Sequence, residues 1–121
     1  MPFGFEKLDV WKKSLDYANF VISLSETINS SRKHLRLIDQ LEASSASVAM
    51  NIAEGKGRYS KKEFIHFLYI ARGSLYESIT LLNLFKSRNW IDKDSFEKAS
   101  DKATEIAKML NGLINSIKYP K

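Results

Sequence analysis

Residues 60–87 read SKKEFIHFLYIARGSLYESITLLNLFKS, and their spacing decides the fold. Phe64, Leu68, Ala71, Leu75, Ser78, Leu82 and Phe85 recur in alternating steps of four and three without a miss. An α-helix, at 3.6 residues per turn, places that whole set on one face. In front of it, Ser60 and Glu63 have the spacing of a capping box. There the serine hydroxyl accepts from the Glu63 N–H and the Glu63 side chain reaches back. A helix over 61–87 is expected. It carries a second apolar set, Phe67, Ile70, Leu81 and Leu84, with Tyr69, Tyr76 and Ile79 besides. That is more than one core-facing stripe needs, so part of the surface, Phe67, Ile70, Tyr76, Leu81 and Leu84 above all, is expected to be hidden by another subunit, the alternative being that a short bundle with wide grooves buries it all.

The same period extends outward in both directions. Leu8, Trp11, Leu15, Ala18, Ile22 and Ser25 form one stripe, and Val10, Ser14, Tyr17, Val21, Leu24 and Ile28 a second, so a first helix over about 7–28 is apolar across a wide arc. The polar run NSSRKH at 29–34 breaks it. Leu37 or Ile38, Leu41, Ser45, Val48 and Ile52 then mark a second helix over about 35–55. Gly55 is expected to end that helix as the residue that accepts positive φ. After SRNWIDKD, Asp94 and Glu97 offer another capping box, and Phe96, Ala99, Ala103, Ile106, Leu110, Leu113 and Ile117 define a fourth helix over about 94–118. Four long helices joined by short loops give an all-α, up-down-up-down antiparallel four-helix bundle spanning 1–121 as a single domain.

Pairing the second helix antiparallel to the third sets ASSAS, residues 43–47, opposite Ala71, Gly73 and Ser74. Close packing there would offset the cost of a mid-helix glycine at 73, about 1 kcal/mol relative to alanine.

Composition agrees with long helices. The 121 residues include only 5 glycines and 2 prolines, too few for a turn-rich β-sandwich. With no cysteine, disulfides, thiolate metal sites and a cysteine nucleophile are excluded. The opening MPFGFEKLDVWKK carries acids at Glu6 and Asp9 and lacks the apolar run of a signal peptide. No segment approaches the roughly 18 apolar residues of a membrane span. A soluble, cytoplasmic protein without membrane contact is the expectation.

Chemistry-bearing motifs are scarce. GKGR at 55–58 matches neither G-x-G-x-x-G nor G-x-x-x-x-G-K-[ST], and no strand precedes it, so it is no nucleotide cradle. His34 and His66 are the only histidines, with no H-E-x-x-H or paired E-x-x-H pattern around them, and both are expected at the surface. Neither catalysis, nor a cofactor, nor a metal, nor a small-molecule substrate is expected.

Basic residues are better placed. The net charge is +5, and in such a bundle the first and third loops share one end, collecting Arg32, Lys33, Arg36, Lys86, Arg88 and Lys93. The second loop brings Lys56, Arg58, Lys61 and Lys62 to the other. Seven of these, Arg32, Lys33, Arg36, Lys56, Arg58, Lys61 and Lys62, are the candidates for phosphate contact. Solvated loop charge is the plain alternative. Tyr59 can stack on an unpaired base or pack across its own turn.

FEKLDVWKKSLDYA near the start, QLEASSASVAMNIAEGKGRYSKKEFIHFLYIARGSLYES in the middle and the amphipathic last helix together resemble the bacterial proteins encoded within intervening sequences of 23S ribosomal RNA genes. The most specific parts are Asn51, Glu54 and Gly55 in NIAEG with Gly57 and Arg58, then Arg72, Gly73 and Ser74 in ARGSL with Glu77. The resemblance implies a small helical protomer assembling as a ring-like homopentamer without enzymatic activity. It also implies similarity to the accessory protein of diversity-generating retroelements, which works with a reverse transcriptase and nucleic acid. Two departures stand out: an acidic, proline-containing first loop is replaced by NSSRKHLRL, and a proline two places before NIAEG by Ala49.

The expected function is a non-catalytic pentameric bundle that binds nucleic acid, RNA more plausibly than DNA, through its basic ends. A protein adaptor, for example for a reverse transcriptase, is the alternative. Asn51 and Glu54 are expected to be structural, satisfying backbone groups or pairing with Arg58 or Arg72.

Overall fold

The computed structural model describes residues 3–28 and 34–121. Its elements are a 3-10 turn, η1 (Gly4–Lys7), and four α-helices: α1 (Asp9–Glu26), α2 (Leu35–Lys56), α3 (Lys61–Ser87) and α4 (Lys93–Lys118). The fold is all-α. Arg32 and Lys33 lie outside the described residues.

The first helix starts later than its periodicity implies. Leu8 is extended, with φ −76° and ψ 124°, and separates η1 from α1. The Glu6 carboxylate accepts from the Phe3 N–H at 3.1 Å, which secures the short turn as a separate piece. At the far end α1 stops at Glu26, where the Thr27 hydroxyl bonds back to the Leu24 carbonyl.

Two helix starts rest on side-chain caps. The Glu63 N–H donates to the Ser60 hydroxyl oxygen at 3.1 Å, opening α3. Glu63 does not reach the backbone of Ser60; its carboxylate accepts from the Ser60 hydroxyl at 3.3 Å. For α4 the cap is Asp92, whose carboxylate accepts from the Ser95 N–H at 2.7 Å. The Asp94–Glu97 box gives way to it because Asp92 is the last residue in extended conformation, and Asp94 already lies inside the first turn.

A Schellman-type turn ends α3. Asn89 takes a left-handed φ of 61°, its N–H bonds to the Lys86 carbonyl, and the Trp90 N–H bonds to the Phe85 carbonyl. This folds the Trp90 ring back to 4.9 Å from Phe85. His34 then packs on Trp90 at 4.2 Å, so the start of α2 meets the α3–α4 corner, and His34 is half-buried rather than a free surface residue.

Gly55 does not terminate α2 through positive φ. It lies inside the helix, buried, and the cap residue Gly57 has φ −80°. Its role is close approach, since a β-carbon there would meet Phe67 Cβ at 2.6 Å and Phe64 Cδ1 at 3.1 Å.

The helix directions follow from cross-helix pairs. Lys13 and Asp16 on α1 reach Glu105 and Lys102 on α4, so one partner climbs as the other descends. Gln40 and Ser47 on α2 reach Glu77 and Ser74 on α3 in the same opposed sense. So do Tyr69 and Arg72 on α3 with Lys118 and Asn111 on α4. At the centre lie Tyr17, Leu41, Val48, Ile52, Leu68, Leu75, Leu82, Phe85, Ile106 and Leu110. Their burial removes apolar surface from water at about 25 cal/mol per Å², the main favourable term of folding. Buried serines return their hydroxyls to the helix: Ser14 donates to the Val10 carbonyl, Ser44 to Leu41 and Ser78 to Leu75. The buried Tyr17 hydroxyl shares a 2.8 Å hydrogen bond with Ser78. Among the described residues no buried side-chain polar atom lacks a partner.

Candidate nucleic-acid interface

The corner between α2 and α3 is tightly built. The Gly57 N–H bonds to the Ala53 carbonyl, the Arg58 N–H to the Gly55 carbonyl, and Ser60 caps the next helix. Gly55 lets the two helices converge beneath it. The connection is thus short and held from both sides.

The cations of this corner divide into two kinds. Arg58 is engaged: its guanidinium is 2.8 Å from the Glu54 carboxylate and 4.7 Å from the Phe67 ring centroid. Lys56 stands over Phe64 at 5.7 Å. Lys61 and Lys62 are exposed. Among the described residues, no carboxylate forms an ion pair with Lys56, Lys61 or Lys62. Beside them Tyr59 is fully exposed and does not pack across its own turn. Arg58, Lys62, Glu63, His66 and Phe67 line a shallow depression of about 460 Å³ that continues from the corner along α3.

At the opposite end, two of the described lysines are held in ion pairs. Lys93 pairs with Glu97 at 3.8 Å, Lys98 with Asp94 at 3.2 Å, and Lys86 lies over the Phe96 ring at 4.3 Å. Arg36 and Arg88 are exposed there. Asp92, at the α4 cap, has its carboxyl held below the usual carboxylate range by the hydrogen bonds it accepts from Ser95.

The two sequence blocks meet across α2 and α3. Asn51 Nδ2 donates to both the carbonyl and the hydroxyl of Ser47 at 2.8 Å, and the Ser47 hydroxyl lies 2.9 Å from that of Ser74. Asn51 therefore serves the backbone of its own helix and a bridge to the next. Arg72 turns away from Glu54, donates to the Asn111 side chain at 2.9 Å and lies 4.8 Å over Tyr69. Glu77 accepts from Gln40 at 3.3 Å.

Gly73 departs from expectation. Ser74 makes the contact with the small-residue segment, whereas Gly73 is exposed, with no atom within 4 Å of where a β-carbon would be. The residue preceding a contact on a helix points about 100° away from it, which carries Gly73 off the α2-facing side.

Among the residues expected to meet another subunit, Ile70, Tyr76 and Leu84 are exposed. Leu81 is not, being only 7% accessible and part of the core, because α3 turns it inward beside Leu82. Phe67 is half-buried between Gly55 and Arg58.

One surface is not evident from the motifs. Phe5, Trp11, Leu15 and Ala18 face Ala46, Ala49, Met50 and Ala53 across a trough of about 370 Å³ between α1 and α2. The two apolar stripes of the first helix were its only sequence signal. Among the described residues no group of three or more acidic or histidine side chains is placed to hold a metal ion, and no helix is long and apolar enough to cross a membrane.

These features define a four-helix bundle with a basic, aromatic-tipped corner. Residues 6–112 match the model of the 23S rRNA-intervening sequence protein family, and the chain belongs to that family. It is also similar to the crystal structure of a protein of unknown function from the S23 ribosomal protein family of Bacteroides thetaiotaomicron. That likeness has a TM-score of 0.81 at 28% identity and covers 87% of this chain and 97% of the other. No curated protein matches the chain.

Proposed function

We propose that this protein is a non-catalytic, homo-oligomeric helical bundle that binds structured RNA, of the ribosomal kind its family is named for, through the α2–α3 corner. The observation that carries this reading is the set Lys56, Lys61 and Lys62, exposed, without ion-pair partners among the described residues, and grouped around a bare tyrosine. Unpaired lysines release counterions when they meet phosphates, the main source of sequence-independent affinity. Arg58 has a different part: held by Glu54 and Phe67, it shapes the corner. Arg36 extends the charge at the far end, to which the sequence also assigns Arg32 and Lys33.

Assembly strengthens the argument. Ile70, Gly73, Glu77, Thr80 and Leu84 recur in steps of three and four on the exposed side of α3, with Tyr76 alongside. A glycine in that stripe costs about 1 kcal/mol of helix stability, and no contact within the chain offsets it. A second copy approaching over Gly73 would. A ring of five multiplies the +5 of one chain and turns one weak patch into repeated contacts.

The test is equilibrium binding to a structured ribosomal RNA fragment across a salt series. Affinity is expected to fall steeply with salt, and changing Lys56, Lys61 and Lys62 together to glutamate is expected to abolish it with folding intact. Absence of RNA binding at low salt would refute the reading. The exposed α3 stripe and the α1–α2 trough favour a second reading, an adaptor for a protein partner such as a reverse transcriptase. Recovery of one protein from its own host after nuclease treatment, with no RNA before it, would decide for that reading.

A further inference from the structure

Tyr59 is the most exposed large hydrophobic side chain among the described residues, at 105% of its reference accessibility, and it stands at the tip of a corner whose backbone is pinned on both sides. An aromatic ring in that position stays in water although Phe64 and Phe67 lie beneath the same turn. The ring is bracketed in sequence by Arg58 and Lys61–Lys62, and the Arg58 guanidinium is fixed by Glu54. Charge and π-surface are therefore presented together on a support that does not have to reorganise. A duplex can use the lysines, but its bases are stacked and offer the ring no face. An unpaired base offers a face to the ring and a phosphate to the neighbouring lysines at once.

We infer that the α2–α3 corner recognises unpaired nucleotides of RNA, with Tyr59 as the stacking platform and Lys61 and Lys62 as the phosphate contacts. This rests on the RNA-binding reading and narrows it from any RNA to loops, bulges and ends.

The experiment compares a fluorescein-labelled RNA hairpin carrying a single-stranded loop with a blunt RNA duplex of equal length, at fixed low salt, for the wild-type protein, Tyr59→Ala and Tyr59→Trp. Melting temperature and oligomeric mass are measured for each. Tyr59→Ala is expected to weaken the hairpin complex about 5- to 150-fold, the range of one base–aromatic stack, and to leave the duplex complex within twofold. Tyr59→Trp is expected to keep the hairpin affinity. If the wild type binds both RNAs and Tyr59→Ala changes neither, or weakens both equally, the stacking inference falls while the RNA-binding reading stands. A Tyr59→Ala protein of altered oligomeric mass would assign the ring to a subunit contact and overturn the inference as well. If the wild type binds neither RNA, both fall together.

Discussion

A β-carbon added to Gly55 would stand 2.6 Å from the Cβ of Phe67, closer than any real contact of that kind. Neither partner can yield cheaply. The Phe67 atom is the root of its side chain, and the Phe64 carbonyl oxygen closes the other side at 3.3 Å. Gly55→Ala must push α2 and α3 apart at the corner. The strain, about 1–3 kcal/mol as for an overpacked core, outweighs the helix propensity gained from alanine, at most about 1 kcal/mol. A lower melting temperature is expected, and an unchanged or higher one would show that the corner relaxes freely.

Gly73 predicts the reverse. Nothing lies within 4 Å of its would-be β-carbon, so in an isolated protomer Gly73→Ala is expected to stabilise α3 by up to about 1 kcal/mol. The subunit-interface reading adds a second expectation: the bulkier Gly73→Leu keeps the protomer folded while lowering the assembly state. Circular dichroism melting and light scattering on the same samples separate the two effects. A Gly73→Leu protein of unchanged mass would remove Gly73 from the interface.

Tyr17 supplies a pH dependence. Burial pushes its hydroxyl up to about 12, an effect only partly offset by the hydrogen bond with Ser78. The folded state therefore holds the proton between pH 10 and 12, where the unfolded chain releases it. Stability from this group is complete below pH 10 and lost as pH rises toward 12, by about 2–3 kcal/mol in all. Tyr17→Phe removes that loss, so the difference in stability between wild type and variant should shift in favour of the variant across this window. At neutral pH the variant is expected to be less stable by about 1 kcal/mol, the net worth of one hydrogen bond. Parallel urea-unfolding curves for both proteins above and below pH 10 would contradict the assignment.

What could be read from the sequence follows the range of the interactions involved. The period of Phe64 to Phe85 and the Ser60 cap are local, and both are in place in α3. Gly55 was misread because glycine serves two needs, positive φ and close approach, and only the neighbouring helix distinguishes them. Ser74 meets the small-residue segment as expected, whereas Gly73, one residue earlier, is turned about 100° off it, a rotation that pairing the two helices in sequence does not fix. Leu81 and Leu84 look alike on a helix that is apolar nearly all round, and the crossing of α3 with its neighbours settles which one is buried. The Asn89 turn gave little warning, since asparagine tolerates a left-handed φ without announcing it. At the corner, the lysines were legible as charge and Arg58 as one of two expected partners of Glu54, but the choice of Arg58 over Arg72 and its packing on Phe67 depend on geometry.

The exposed side of α3 allows the assembly to be tested without disturbing the core. Ile70 and Leu84 are 39% and 41% accessible, so a charged group at either position reaches water in a lone protomer. Ile70→Glu and Leu84→Glu are each expected to change protomer stability by no more than about 0.5 kcal/mol, as for ordinary surface substitutions. In an assembled ring the same carboxylate would be stripped of water against apolar surface, which is costly unless it finds a partner. Both variants should then appear as folded species of reduced mass by native mass spectrometry. Leu81→Ala serves as the contrasting case: it opens a cavity in the core and should lower the melting temperature by an amount set by about 2–5 kcal/mol of lost packing, whatever the assembly state. If Ile70→Glu and Leu84→Glu retain the wild-type mass, the subunit contact lies elsewhere, and the α1–α2 trough around Leu15 and Met50 becomes the surface to charge next.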